Sequence, residues 1–150
     1  MEIKEKIQIN ASKEAIWKTI TDIENATQNI NGIEKIEILE KPENQFVGLK
    51  WKETRTIFGK TAVETMWITE AVENSYYKTR AENHGAVYIS TLAITEENDQ
   101  VYLSMGFKGE AQTFFAKIMT VVMAPLMKKS TKKLLQKDLE DIKNVAEAKN

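Results

Sequence analysis

The chain begins with ten residues that alternate between apolar and mostly charged side chains. Ile3, Ile7 and Ile9 fall on one side of an extended backbone, and this period of two predicts a half-buried strand. Ser12 then offers a helix N-cap, and the next apolar residues have the i, i+4, i+7 spacing of an amphipathic helix: Ile16, Ile20 and Ile23. We therefore predict a strand, a helix at roughly 12–23, and a short further helical piece towards Gln28.

The middle of the chain, from Ile33 to Gly109, is dominated by strand patterns separated by short polar or glycine-containing breaks. Breaks this short suit antiparallel hairpins and leave no room for the crossover helices of a parallel sheet. The predicted strands are Ile33–Lys41, Phe46–Phe58, Thr61–Val72, Tyr76–Glu82, Ala86–Thr95 and Val101–Lys108.

The last third of the chain changes to helical spacing of its apolar residues, from Phe114 to Val145. One straight helix over 111–147 would be about 55 Å long, which exceeds a domain of this size. We therefore predict a bend or break near Pro125, because proline removes a helix hydrogen bond. The part after Pro125 would match a ten-residue strand in length, which favours a sheet wrapped around one long helix.

Length and composition narrow the function classes. The 150 residues fit a single domain over 1–150. The 21 basic and 22 acidic side chains nearly cancel, which argues against a nucleic-acid-binding protein. The absence of cysteine excludes disulfides, thiolate catalysis and cysteine-ligated metals. The single histidine, His84, falls at a predicted hairpin tip, so we predict no metal site and no cofactor.

The longest apolar run, Ile118–Met127, has about half of the ~20 residues that a transmembrane helix needs. The N-terminus carries no apolar targeting segment, so we expect a cytoplasmic protein without stable membrane insertion. A lysine cluster follows the run, and it is most simply the solvated face of a helix. The alternative is transient contact with an anionic membrane. The cluster comprises Lys128, Lys129, Lys132 and Lys133.

Three segments resemble the START-like superfamily, in particular its polyketide cyclase/dehydrase and lipid-transport group: Ile9–Asp22, Phe46–Lys60 and Phe114–Lys143. The resemblance implies an α+β helix-grip fold. A curved antiparallel sheet of about six to seven strands wraps around a long C-terminal helix, with one or two short helices after strand 1. It also implies a cavity between sheet and helix. The segment Thr27–Gly32 departs from the group, because it lacks the tryptophan–proline often found after the first helix.

Side-chain alternation predicts which residues line that cavity. In the strand Thr61–Val72 the alternation is ambiguous, because Met66 and Ile68 fall on one face and Trp67 on the other. We place Met66 and Ile68 inward. The mixture of aromatic, methionine and hydroxyl side chains is typical of small-molecule pockets. The predicted ligand-binding residues are Trp51, Glu53, Arg55, Met66, Ile68, Tyr77, Tyr88, Ser90, Leu92, Met105 and Phe107 on the sheet, and Phe115, Met119 and Met123 on the helix.

Glu53 and Arg55 are the charged members of this set. Burying one unpaired charge costs several kcal/mol, so the two should pair or lie at a wet cavity mouth. They could anchor a ligand's carboxylate or hydroxyl group, or they could form a structural ion pair at the end of a strand.

Three functions remain open from the sequence. The leading hypothesis is a binding module for a hydrophobic, lipid- or polyketide-like molecule, with no catalytic residue. The second is an aromatase/cyclase- or dehydratase-type enzyme, with a carboxylate or a tyrosine as proton carrier. Its candidate polar residues are Glu53, Arg55, Tyr77, Tyr88 and Ser90. The third, implied by another branch of the superfamily, is a chaperone-activator-like interaction protein with a filled interior. The sequence leaves the oligomeric state open.

Overall fold

A computed structural model describes residues 2–57, 59–83 and 85–149. In the last helix, it describes the side chains of residues 117 and 125 and of all residues from 128 to 148. His84 and the side chains of Phe115, Met119 and Met123, which the sequence analysis singled out, therefore lie outside the described residues.

Seven strands form one curved antiparallel sheet, and a long helix follows them. The order across the sheet is β1-β7-β6-β5-β4-β3-β2, so that sequence neighbours from β2 to β7 form hairpins and β1 joins the far edge of β7. The α+β helix-grip arrangement expected from the resemblance is confirmed. The elements are β1 (Glu2–Ile9), α1 (Lys13–Thr21), a 3-10 turn (Ile23–Asn25), α2 (Ala26–Asn29), β2 (Ile33–Glu40), β3 (Lys50–Ile57), β4 (Lys60–Val72), β5 (Tyr76–Asn83), β6 (Ala86–Glu97), β7 (Gln100–Ala111) and α3 (Phe114–Ala148).

Local signals in the sequence set the ends of several elements. Ser12 caps α1, because its side chain accepts a hydrogen bond of 3.1 Å from the backbone N–H of Ala15. Asn98 and Asp99 join β6 to β7 with φ values of 51° and 63°. A two-residue turn with both φ angles positive matches the twist of a hairpin, and Asn and Asp tolerate it well.

The hydrophobic core lies between the sheet, α1 and the C-terminal half of α3. α3 contacts β1, α1 and β7. The side chains that are almost completely buried come from all three layers, and they hold the helices on the concave face of the sheet: Ile9, Ile16, Ile68, Leu103, Leu139 and Ile142.

Two details of the predicted elements are wrong. β3 begins at Lys50 rather than Phe46, because Gly48 has a φ of 94° that an extended strand does not adopt, and Val47 is exposed. Of the bend or break predicted near Pro125, the break is also wrong, since α3 is helical from Phe114 to Ala148. Proline removes one helix hydrogen bond without obliging the helix to end, and Pro125 is exposed.

Candidate functional site

A pocket of about 440 Å³ lies between the concave face of the sheet and the C-terminal half of α3. The register of the sheet explains its lining. Residues directly opposite each other on neighbouring antiparallel strands share a face, so that one inward residue on each strand fixes the others. The lining pairs include Trp51 with Met66, Glu53 with Glu64, Tyr77 with Leu92, Thr79 with Ser90, and Leu92 with Met105.

The structure brings most of the predicted ligand-binding residues to this pocket. Ile68 is the exception among those described, because it is only 1% exposed and packs in the core away from the pocket lining. The predicted residues that line the pocket are Trp51, Glu53, Arg55, Met66, Tyr77, Tyr88, Ser90, Leu92, Met105 and Phe107.

The pairing of β4 decides the alternation that was ambiguous in the sequence. The pairing of β4 with β5 shifts between Ile68 and Glu70, which is a β-bulge. Before the bulge the even-numbered Met66 and Ile68 face inward, and after it the odd-numbered Ala71 packs against the core. Trp67 lies on the outer face, where the Lys50 ammonium is 5.6 Å from its ring centre.

A three-residue charged cluster forms part of the pocket wall, and sequence reasoning found two of its members. Arg55 donates from Nε to Glu53 Oε2 at 2.7 Å. It also donates from Nη1 to Asp138 Oδ1 at 3.2 Å and from Nη2 to Asp138 Oδ2 at 2.8 Å. The indole N–H of Trp51 donates to Glu53 Oε1 at 3.3 Å. Sheet and helix are thus joined by a fork-shaped guanidinium–carboxylate pair inside the protein.

Asp138, which the sequence analysis missed, is only 4% exposed. Burial raises its pKa above the ordinary value, even though Arg55 opposes this rise. Burial alone would lower the pKa of Arg55, but hydrogen bonds and charge from Asp138 and Glu53 outweigh it and hold the pKa above its ordinary range. Its position in the sequence could have indicated this role. Asp138 interrupts the apolar face of α3, four residues from both Leu134 and Ile142.

Tyr77 is a structural member of the site. Its buried hydroxyl donates to the backbone oxygen of Ile20 at 3.1 Å, which fastens β5 to the end of α1. Its ring packs edge-on against Trp17 and Phe46, at centroid distances of 6.2 and 5.2 Å. Burial raises the pKa of Tyr77, with a smaller contribution from Glu53. A hydroxyl that is buried and already donating is poorly placed to transfer a proton to a ligand.

Tyr88 and Asn29 are two further polar residues of the pocket lining. Tyr88 stacks on Phe107 with centroids 5.6 Å apart, and burial, with the charge of Glu64, raises its pKa. Nδ2 of Asn29 is fully buried and lacks a hydrogen-bond partner among the described residues. A buried amide donor without a partner costs about 1–3 kcal/mol.

The pocket adjoins a second one, of about 390 Å³, where the end of β3 faces α3. The two share Ile57, Thr131 and Leu134. The exposed lysines Lys133 and Lys137 line this second pocket. The rest of the predicted lysine cluster is exposed too, and Lys132 lies 3.7 Å from Glu5.

The described residues contain no group of three or more histidine, acidic or cysteine side chains arranged to hold a metal ion. Over the same residues, no helix is both long and apolar enough to cross a membrane.

Comparison with known proteins identifies the family. Residues 1–147 match the family described as polyketide cyclase / dehydrase and lipid transport. The chain belongs to this family. Comparison with curated protein sequences found no matching relative.

Solved structures of other proteins share the fold over nearly the whole chain. A protein from Thermus thermophilus is 14% identical with a TM-score of 0.81, covering 100% of this chain and 99% of its own. A START superfamily protein from Mycobacterium smegmatis is 18% identical with a TM-score of 0.69, covering 99% and 95%. An aromatase/cyclase from a Streptomyces species is 11% identical with a TM-score of 0.68, covering 99% and 92%. Identities this low establish a common fold and leave the activity of this chain to be argued from its own residues.

Proposed function

We propose that this protein binds a hydrophobic, lipid- or polyketide-like small molecule between the sheet and α3. The observation that carries the proposal is the pocket of about 440 Å³, lined mainly by apolar and aromatic side chains with a few polar groups. Ligand sites in proteins have volumes of about 300–1,000 Å³ and this kind of lining.

The energetics of an empty pocket support the same proposal. At about 24 cal/mol per Å³, a dry void of this size would cost on the order of 10 kcal/mol. This compares with a net stability of about 5–15 kcal/mol for a whole domain. Water or a guest must therefore occupy the space, and the apolar part of the wall favours a hydrophobic guest over water. A hydrophobic guest gains the contacts that the lining side chains lack.

The pocket also bears on the interaction-protein hypothesis. A chaperone-activator-like module works through its surface and needs no internal space, so a filled interior is what that hypothesis predicts. The volume between the sheet and α3 favours ligand binding instead.

The test combines native mass spectrometry of the purified protein with binding of Nile red, an uncharged hydrophobic dye. Ser90→Phe places a ring in the pocket and is expected to weaken dye binding by about tenfold or more, because the added side chain takes the guest's place. Thr91→Phe is the matched control, since it adds a ring on the same strand but pairs with Lys78 and Gly106 on the other face. No copurifying or competable ligand, or equal dye binding by both variants, would contradict the proposal.

A second candidate is an enzyme acting on the bound molecule, favoured by the charged cluster in the pocket wall. Glu53 and Tyr88 supply a carboxylate and a phenol that can carry protons, and Arg55 can stabilise negative charge that develops on a substrate. The test incubates the protein with the molecule recovered from its native form, and it follows conversion of that molecule by mass spectrometry. If Glu53→Gln and Arg55→Met variants convert it as fast as the unaltered protein, the cluster is not catalytic and this candidate is abandoned.

A further inference from the structure

Most of the charged side chains that line the pocket are acidic. Its described lining contains four acidic side chains and one basic side chain, Arg55. Glu53 and Asp138 belong to the charged cluster, and Glu64 accepts a hydrogen bond of 2.8 Å from Asn83 on the neighbouring strand. The acidic residues are Asp22, Glu53, Glu64 and Asp138. A ligand in this pocket therefore meets an excess of negative charge.

The single cation is already neutralised. Arg55 directs Nε at Glu53, and both terminal nitrogens at Asp138, within 3.2 Å. A carboxylate on a ligand would have to compete with two resident carboxylates for this guanidinium. It would also add a third negative charge beside Asp138, whose pKa is already raised by burial. Like charges at such distances in a partly desolvated site repel by amounts that matter for binding.

The lysines that line the second pocket do not reverse this balance. Lys133 and Lys137 are exposed, and Lys137 is 2.5 Å from Asp141. Exposed charges are screened by salt much more than buried charges are. The field that a ligand experiences inside the pocket is thus set by the carboxylates.

The remaining polar groups of the lining suit a hydroxyl. A hydroxyl can donate to a carboxylate oxygen and accept from another hydroxyl at the same time. The lining offers carboxylate oxygens as acceptors, and the hydroxyl groups of Tyr88, Ser90 and Thr79 as donors. A carboxylate ligand can only accept, and an ammonium can only donate.

We propose that the pocket selects an uncharged hydrophobic molecule bearing a hydroxyl or phenol group, and that it discriminates against hydrophobic carboxylates. This inference rests on the proposed function, because it specifies the chemistry of the guest.

The experiment compares 2-naphthol with 2-naphthoate, two rigid ligands of similar size, as competitors for bound Nile red near neutral pH. The uncharged dye reports on the pocket without favouring either sign of charge. We expect naphthol to displace the dye with an affinity about tenfold or more above that of naphthoate, a ratio that one added like charge at an effective dielectric constant near 20 can readily produce.

Two variants identify the source of the discrimination. Asp138→Asn removes one negative charge beside Arg55 and is expected to tighten naphthoate binding severalfold, while naphthol binding changes little. Glu64→Gln, on the strand next to Glu53, removes a charge without touching the Arg55 pairs and should shift the ratio in the same direction if Asp138→Asn fails to fold. The control is Asp141→Asn, which makes the same charge change one turn along α3, outside the pocket lining.

The outcomes separate this inference from the proposed function. If Nile red does not bind, or binds equally to the Ser90→Phe variant, the proposed function fails. If Nile red binds in the pocket but naphthoate displaces it as well as naphthol does, or neither displaces it, ligand binding stands and the inference is overturned. A gain in naphthoate affinity for Asp141→Asn as large as that for Asp138→Asn also overturns it, since the effect would then be one of net charge.

Discussion

The Arg55 guanidinium is a position where a single substitution should have a large effect on stability. Arg55→Met keeps a long, flexible side chain but removes every partner that Asp138 has for its carboxylate in the described structure. Among the described residues, Glu53 retains only the hydrogen bond from Trp51. The side chains of Arg55 and Asp138 are 15% and 6% exposed, so water replaces the lost contacts poorly. Breaking a buried ion pair in this way costs about 3–5 kcal/mol.

Urea unfolding followed by tryptophan fluorescence measures this loss. If the loss comes from unpaired carboxylates and not from poor packing of the methionine, the stability of the variant should recover at low pH. Removing Arg55 raises the pKa of Asp138 further in the folded state, so protonation on acidification favours folding of the variant relative to the unaltered protein. A triple variant, Glu53→Met/Arg55→Met/Asp138→Leu, should regain most of the stability, because an apolar replacement leaves no buried charge.

A stability loss below about 1 kcal/mol, the range of surface ion pairs, would refute this reasoning. A loss that does not diminish on acidification would refute it too, because it would assign the effect to packing.

Two further predictions concern the same wall of the pocket. Since burial raises the pKa of Asp138 above its ordinary value of 3.8, the folded state binds this proton more tightly than the unfolded state does. The contribution of Asp138 to stability therefore falls as the pH rises from 3.8 through the raised pKa. Urea titrations at several pH values should show the difference in unfolding free energy between the unaltered protein and Asp138→Asn falling over this range. A difference that does not change with pH would contradict the prediction. Tyr77→Phe removes the donor to the backbone oxygen of Ile20 and should cost about 1–3 kcal/mol, as measured by thermal unfolding. The control is Tyr102→Phe, because within the described part of the chain the Tyr102 hydroxyl bonds only the exposed Gln100. Equal losses in the two variants would show that the buried hydrogen bond contributes no more than an exposed one.

The discrimination proposed for the pocket has a simple origin in how the charged cluster is shared between sheet and helix. β3 alone presents Glu53 and Arg55, which together are neutral. α3 adds Asp138 to the same guanidinium, which turns a neutral pair into a cluster with an extra negative charge. An arginine that a sequence pattern suggests as an anion anchor is thereby occupied by a resident anion.

The sequence by itself determined the elements whose signal is local. The alternation in β1 and the Ser12 cap of α1 depend only on residues close together in the chain. The inward face of β3 follows from its alternation as well, which is why Trp51, Glu53 and Arg55 could be assigned to one face without a structure.

Tertiary structure decided what depends on distant parts of the chain. Asp138 reaches Arg55 across 83 residues of sequence, and no period within α3 indicates which residue of the sheet it meets. The bulge after Ile68 reverses the alternation of β4, and its position depends on the pairing of β4 with β5. The physical reason is the same in both cases: a repeating pattern fixes which face a side chain takes, whereas the partner on that face is fixed by how separate elements pack.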